Sequence, residues 1–244
     1  MNSGLYAACA GLLAQSQALD LAANNLANVN TTGFKAQLPT FHSLLPNASS
    51  GGISDPIARA VNDFGVLGDS GTDLLQGSLE RTGSDLDFAL QGEGWFAVQT
   101  GGGRLYTRNG NFHVDRKGNL VAADGNPVVG NHGPIIIPPG KLYVSSDGTI
   151  SVDGALAGQI RVVSFAAGGA LAPAGGGYFS APGGSERRAD AKIVQGSLES
   201  SNVNGISAAV GLVSLQRHAD MLQQALTAFH TNFNRIAAQD LPRI

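Results

Sequence analysis

The sequence predicts an α+β fold, with a helix towards each end of the chain and a central antiparallel β-rich domain between them. Three observations predict it: leucines at a seven-residue spacing near the start, a longer apolar stripe near the end, and a glycine-rich middle with Asp-Gly turns. The expected division is 1–40 for the N-terminal helix of the helical domain and 41–75 for an irregular connector. A β-rich domain over 76–192 follows, and 193–244 supplies the C-terminal segment and helix.

From Gly4 to Val29 there is no proline and one charge, Asp20. Leu5, Leu12, Leu19 and Leu26 keep an unbroken heptad, with Cys9, Ser16, Ala22 and Ala23 between them. Such small residues allow a partner helix to approach closely, so a narrow seam is expected. Asn28, Asn30 and Gly33 supply the stop, because asparagine and glycine tolerate the left-handed backbone that ends helices. Asn24, Asn25 and Asn28 have two readings: they terminate the helix, or their amides hydrogen-bond across subunits.

The C-terminal pattern is clearer. Leu212, Leu215, Ala219, Leu222, Leu226, Phe229, Phe233 and Ile236 alternate by three and four. Gln216, Arg217, Asp220, Gln223, Gln224 and Asn232 lie between them and form a polar face, and Pro242 ends the run. On pattern alone this stripe describes either a helix lying on its own domain's core or one strand of a coiled coil.

Between the helices, Asp124-Gly125, Asp147-Gly148 and Asp153-Gly154 are hairpin signals, since the tightest turns need positive φ at both central positions. Short strands are expected at Trp95–Gln99, Arg104–Arg108, Asn111–Val114, Leu120–Ala122, Pro134–Ile137, Leu142–Val144, Thr149–Val152 and Gln159–Phe165. The stretch from Ala166 to Ser185 reads as loop-rich. One echo stands out: Gln76-Gly77-Ser78-Leu79-Glu80 recurs as Gln195-Gly196-Ser197-Leu198-Glu199. Each copy sits where the pattern changes, as a matching joint between helical and β parts would.

Composition narrows the function. Fifteen basic residues against eighteen acidic give a net charge of −3, with no excess to hold a nucleic-acid backbone. A single cysteine, Cys9, excludes an internal disulfide or a thiolate zinc cluster. His42, His113, His132, His218 and His230 share no metal-binding spacing. Gly92-Glu93-Gly94 precedes a strand, not a helix, so it reads as a turn and not a phosphate loop. Asp85 and Asp87 fit a strand entry. No run approaches a membrane span, and no basic start followed by an apolar stretch marks a cleaved leader. No catalytic, metal or cofactor residue is assigned.

At the end of the first helix the chain reads Ala23-Asn24-Asn25-Leu26-Ala27-Asn28-Val29-Asn30-Thr31-Thr32-Gly33-Phe34-Lys35. This resembles the N-terminal signature of the bacterial flagellar basal-body rod and hook family. The resemblance continues through Leu86 to Phe96, Tyr106 to Phe112 and Gln195 to Val203, in family order. It implies a structural, self-assembling subunit whose terminal helices form an inner coiled coil and whose β segment forms an outer domain. It also implies partners among other rod subunits and the flagellar export apparatus, no cofactor, and export without a cleaved signal.

Under that resemblance the assembly interface is expected at Leu5, Leu12, Leu19, Leu26, Asn24, Asn25, Asn28, Phe34, Leu212, Leu215, Leu222, Leu226, Phe229, Phe233 and Ile236. The rival from another class is an extracellular glycan-binding or glycan-cleaving protein, with Trp95, Tyr106 and Tyr178 as sugar-stacking faces. One helical seam covers little of each helix, so the terminal segments are expected to order on assembly. Amide exchange on the dilute monomer checks this: weak protection from Leu12 to Leu26 is the expected outcome, and strong protection contradicts it.

Overall fold

The computed structural model describes the backbone of residues 2–42, 66–165 and 171–240, and the side chains of 11–39, 71–165, 171–228 and 231. The chain divides into two compact units. A helical unit holds residues 1–27, 37–73 and 204–244, and a β unit holds 28–36 and 74–203. The chain therefore crosses between them four times.

In the helical unit, α1 (Asn2–Ala27) packs against α2 (Gly205–Asp240). The Asn204 side chain caps α2, its Oδ1 accepting from the Ser207 N–H at 3.0 Å. The seam on α1 is rotated from the leucine heptad. Its best-buried side chains are Ala14 and Ala18, with Gly11, Gln15, Ala22 and Asn25 half-buried along the same line. Leu12, Leu19 and Leu26 are half-buried on the flank, while Ser16 and Ala23, expected in the seam, are exposed. Beside the buried Ala14, Gln15 Nε2 donates to the Leu215 carbonyl at 2.7 Å. On α2, Leu212, Leu215, Ala219, Leu222 and Leu226 are half-buried at the expected spacing of three and four.

Of the stretch 41–75, expected to be irregular, residues 43–65 lie outside the described residues, and strand residues stand on either side of them. Strand β1 (Gln37–His42) pairs antiparallel with β2 (Val66–Thr72), and both contact α1. Asn25 starts this ribbon: its Nδ2 donates to the Gln37 carbonyl at 2.7 Å and its Oδ1 accepts from the Gln37 N–H at 2.8 Å.

The β unit is a chain of short antiparallel strands. They run β3 (Leu79–Arg81), β4 (Phe88–Gln91), β5 (Trp95–Thr100), β6 (Gly103–Thr107), β7 (Phe112–Val114), β8 (Leu120–Ala122), β9 (Val129–Gly130) and β10 (Gly133–Pro134). Next come β11 (Leu142–Val144), β12 (Thr149–Val152), β13 (Ala155–Gln159), β14 (Val162–Ser164), β15 (Ala172–Gly175), β16 (Tyr178–Ser180), β17 (Arg187–Arg188), β18 (Lys192–Gln195) and β19 (Ser197–Glu199). The largest sheet has the order β15-β16-β6-β5-β14-β17, and β11-β12-β13 form a second. Strand β5 is central because Trp95-Phe96-Ala97-Val98 is apolar on both faces. Phe96 and Val98 enter the main core with Phe88, Leu90, Phe112 and Ile150, while Trp95 and Ala97 join Tyr106, Val163 and Phe179 on the other side.

The three Asp-Gly signals resolve differently. Only Asp153-Gly154 forms the two-residue turn with positive φ at both positions, 50° and 85°, joining β12 to β13. At Gly125 and Gly148 the glycine alone is left-handed, within longer turns. Pro134–Ile137 is not a continuous strand: Ile135 and Ile137 point into the core, but only Gly133–Pro134 pairs as β10. The loop-rich stretch 166–185 contains β15 and β16, whose Pro173 and glycines hid an exposed edge strand.

Candidate functional site: a buried charge knot

The most unusual local chemistry lies where residues 28–36 return to the β unit. Lys35, Arg108 and Glu199 are 2%, 3% and 1% exposed in a chain that is only 14% charged. Lys35 Nζ donates to Glu199 Oε1 at 2.6 Å and to the Leu75 carbonyl at 2.6 Å. Arg108 Nη1 donates to Glu199 Oε2 at 3.0 Å, and its Nη2 to the Gly92 carbonyl at 2.9 Å. The Gly77 N–H also donates to Glu199 Oε1, at 3.1 Å. One carboxylate thus holds two cations, and the Leu75 and Gly92 carbonyls each take one further donor, partners of the kind that buried charges require.

The Arg108 guanidinium also lies 5.3 Å from the centroid of the Trp95 ring. Burial pulls the Arg108 pKa below its ordinary value, with Glu199 opposing. Its Nε has no hydrogen-bond partner among the described residues.

Backbone bonds draw the same segments together. The Gly33 N–H donates to the Glu199 carbonyl at 2.7 Å, and the Asn202 N–H to the Phe34 carbonyl at 3.3 Å. Asn202 Oδ1 accepts from the Ala36 N–H at 2.7 Å, and its Nδ2 reaches the Leu75 carbonyl at 3.1 Å. Gly33 is required here: it has φ of +69°, and a Cβ would lie 2.4 Å from the Asn109 nitrogen. A Cβ on Gly77 would lie 2.0 Å from the Ser200 carbonyl oxygen. The residues flanking three of the four crossings, Ala36, Leu75 and Asn202, are therefore tied to one another inside the β unit.

The sequence echo belongs to this knot. Its two copies pair with each other as β3 and β19, Leu79 opposite Glu199 and Glu80 opposite Leu198. The leading glutamines do the same work. Gln76 takes the Gly92 N–H on Oε1 and donates to the Leu90 carbonyl; Gln195 takes the Val144 N–H and donates to the Leu142 carbonyl. Each side-chain amide acts as one more rung on a strand edge. Glu199 is buried between two cations, whereas its counterpart Glu80 is exposed.

A second cluster fastens the segment before β17. Glu186 accepts from Arg104 at 2.7 Å, Arg161 at 2.5 Å and the Tyr106 hydroxyl at 2.5 Å. Partial burial pushes the Glu186 carboxyl up, but Tyr106 and the two guanidiniums outweigh it and leave the pKa below its ordinary value. Burial and the Glu186 hydrogen bond push Tyr106 up to about 12.

Comparison with known proteins supplies the family. The chain matches the flagellar basal body rod protein family over residues 5–35, the FlgE/F/G D1 domain of flagellar hook proteins over 89–152, and the FlgEFG C-terminal family over 194–239. It is 33% identical to a flagellar basal-body rod protein FlgF of Mesorhizobium japonicum over 223 residues, covering 89% of both chains. The chain belongs to the flagellar basal-body rod and hook family. It is likewise 33% identical to FlgF of Escherichia coli over 96% of this chain and 97% of that one, and 37% identical to FlgG of Bacillus subtilis over 68% of each.

Members of this family are structural, and the burial pattern removes the glycan rival: Trp95 and Tyr106 pack inside the second core cluster, and only Tyr178 is half-exposed. Asp87 is buried by Thr82 and Asn111, which donate to its two oxygens. The side chains of Leu5, Phe229, Phe233 and Ile236 lie outside the described residues. Asn24 is exposed, Asn28 accepts from the Thr31 hydroxyl, and Phe34 is half-buried in the β unit. The Asn25 amide binds the Gln37 backbone through both Nδ2 and Oδ1. Lys35, Arg108 and Glu199 all fall within the family-like motifs, yet the sequence alone assigns none of them a role. Their signal is the placing of charge inside otherwise uncharged runs.

Two predictions test this chemistry. Glu199→Gln leaves two cations facing each other without a counterion and is expected to destabilise the chain by about 3–5 kcal/mol, measured by urea unfolding of the full chain through Trp95 fluorescence. For Glu186 the folded-state pKa is depressed, so its contribution is present above the ordinary carboxyl range and is lost as pH falls through the folded value. Acid unfolding of Glu186→Gln is expected to show a shallower pH dependence there than the unmodified chain.

Proposed function

We propose that this chain is a structural subunit of the flagellar rod, located in the basal body and carrying torque along a shaft assembled through its terminal helices. The observation that carries this reading is the division of labour in the fold. Residues at both chain ends pack together as α1 and α2, and the β unit locks the return segments with a buried charge knot. A torque-bearing subunit needs both: helices that extend into neighbours, and roots that do not shear. The relatives that match along most of their length are flagellar basal-body rod proteins.

Within the rod we assign the chain to the proximal position. The support is the sequence of Gly94-Trp95, of Tyr106 to Asn111 and of Gly133 to Pro138, which resemble the proximal rod protein more than the distal one. Its neighbours are then other rod subunits in the periplasm-spanning shaft, reached through the flagellar export apparatus without a cleaved signal.

Electron microscopy of basal bodies from cells lacking this chain tests the position: the axial structure is expected to stop at the base of the rod. A complete proximal rod ending further out would place the chain distally, and an intact rod would refute the reading. Changing Phe229 and Phe233 together to aspartate is expected to abolish motility while leaving Trp95 fluorescence and β-unit folding unchanged.

A further inference from the structure

Each terminal helix has two opposite sides, and the pairing of α1 with α2 uses one of them. On α2 the half-buried positions Leu212, Leu215, Ala219, Leu222 and Leu226 make the inner stripe. At roughly 3.6 residues per turn, Ile206, Val210, Val213, Arg217 and Met221 fall on the far side. The four apolar members of this outer stripe are between 51% and 81% exposed. Apolar side chains at three-and-four spacing over four turns mark a helix face made to be covered.

The outer side of α1 has the opposite character. Leu13, Gln17, Asp20 and Asn24 follow the same spacing, with the small Ser16 and Ala23 beside them, all exposed. Asp20 is the only charge in α1, and Arg217 is the only charge within the outer stripe of α2, with Asp220 on its flank. Neither Asp20 nor Arg217 takes part in an ion pair among the described residues.

We propose that the outer stripe of α2 on one copy docks along the outer side of α1 on a second copy, with Arg217 closing on Asp20. This rests on the rod reading above and names its contact. Setting Arg217 opposite Asp20 fixes the register. Val213 then falls opposite the small Ser16 if the two helices run parallel, and opposite Asn24, next to Ala23, if they run antiparallel. The two faces are different surfaces of the same chain. Such a contact is heterologous, leaves a free face at each end, and propagates into a filament unless it closes on itself.

The test is a charge-reversal cycle in cells carrying the full chain as their sole copy, read as the amount of chain in purified basal bodies. Asp20→Arg and Arg217→Asp are each expected to lower incorporation by about fivefold or more, with the double variant restored to the unmodified level. Val213→Asp is expected to lower it with no rescue. Far-UV circular dichroism of the purified variants, unchanged from the parent, separates docking from folding. A double variant no better than the singles, or singles incorporated normally, overturns the docking face while the rod reading stands. Absence of the unmodified chain from basal bodies overturns both.

Discussion

A carboxylate taken out of water must be met by cations and donors, and in this protein that requirement organises the β unit. Glu199 lies at the end of β19 with almost no exposure, and its two oxygens take Lys35, Arg108 and the Gly77 N–H. Those three partners come from three distant parts of the chain. Satisfying one buried charge therefore fixes the strap 28–36, the turn after β6 and the segment before β3 in a single act. Charge pairs of this kind contribute little net stability compared with apolar packing, but an incomplete one is costly. The knot consequently acts as a register check, since a misplaced strap parts Lys35 from Glu199.

The same segments border the crossings of the chain between the units, which it makes after Ala27, Ala36, Asp73 and Val203. Gly33 and Gly77 let backbones approach too closely for any side chain, and the paired echo closes the arrangement with two glutamine rungs. In a rod subunit these are the places where force would pass along the polypeptide. A low overall charge fits this arrangement: among the described residues every ion pair is centred on Glu199 or Glu186.

Much of this was legible from residues alone, and the exceptions have physical causes. Helix α2 was readable because Leu212 to Leu226 repeat without interruption, and β5 because Trp95 to Val98 is apolar on both faces. The α1 seam lies away from the leucine heptad because the best-buried positions are the small Ala14 and Ala18, which carry no strong hydrophobic signal in the sequence. The ribbon of β1 and β2 was hidden because Pro39, Gly68 and Gly71 mask its strand character, and its anchor is an asparagine amide supplied by α1. Lys35, Arg108 and Glu199 could not be joined from sequence because 164 residues separate the Lys35–Glu199 pair and no periodicity links them. The recurrence of Gln-Gly-Ser-Leu-Glu was the one local trace of that long-range contact.

The central claim is that the β unit keeps its strap locked by Glu199 while the terminal helices are engaged by neighbours in the rod. High-resolution cryo-electron microscopy of the assembled basal body measures both together. The account predicts density for Lys35, Arg108 and Glu199 in contact within each copy of this chain, with the outer sides of its terminal helices covered by adjacent subunits. A strap detached from Glu199 in the assembled rod, or terminal helices facing open solvent there, would contradict it.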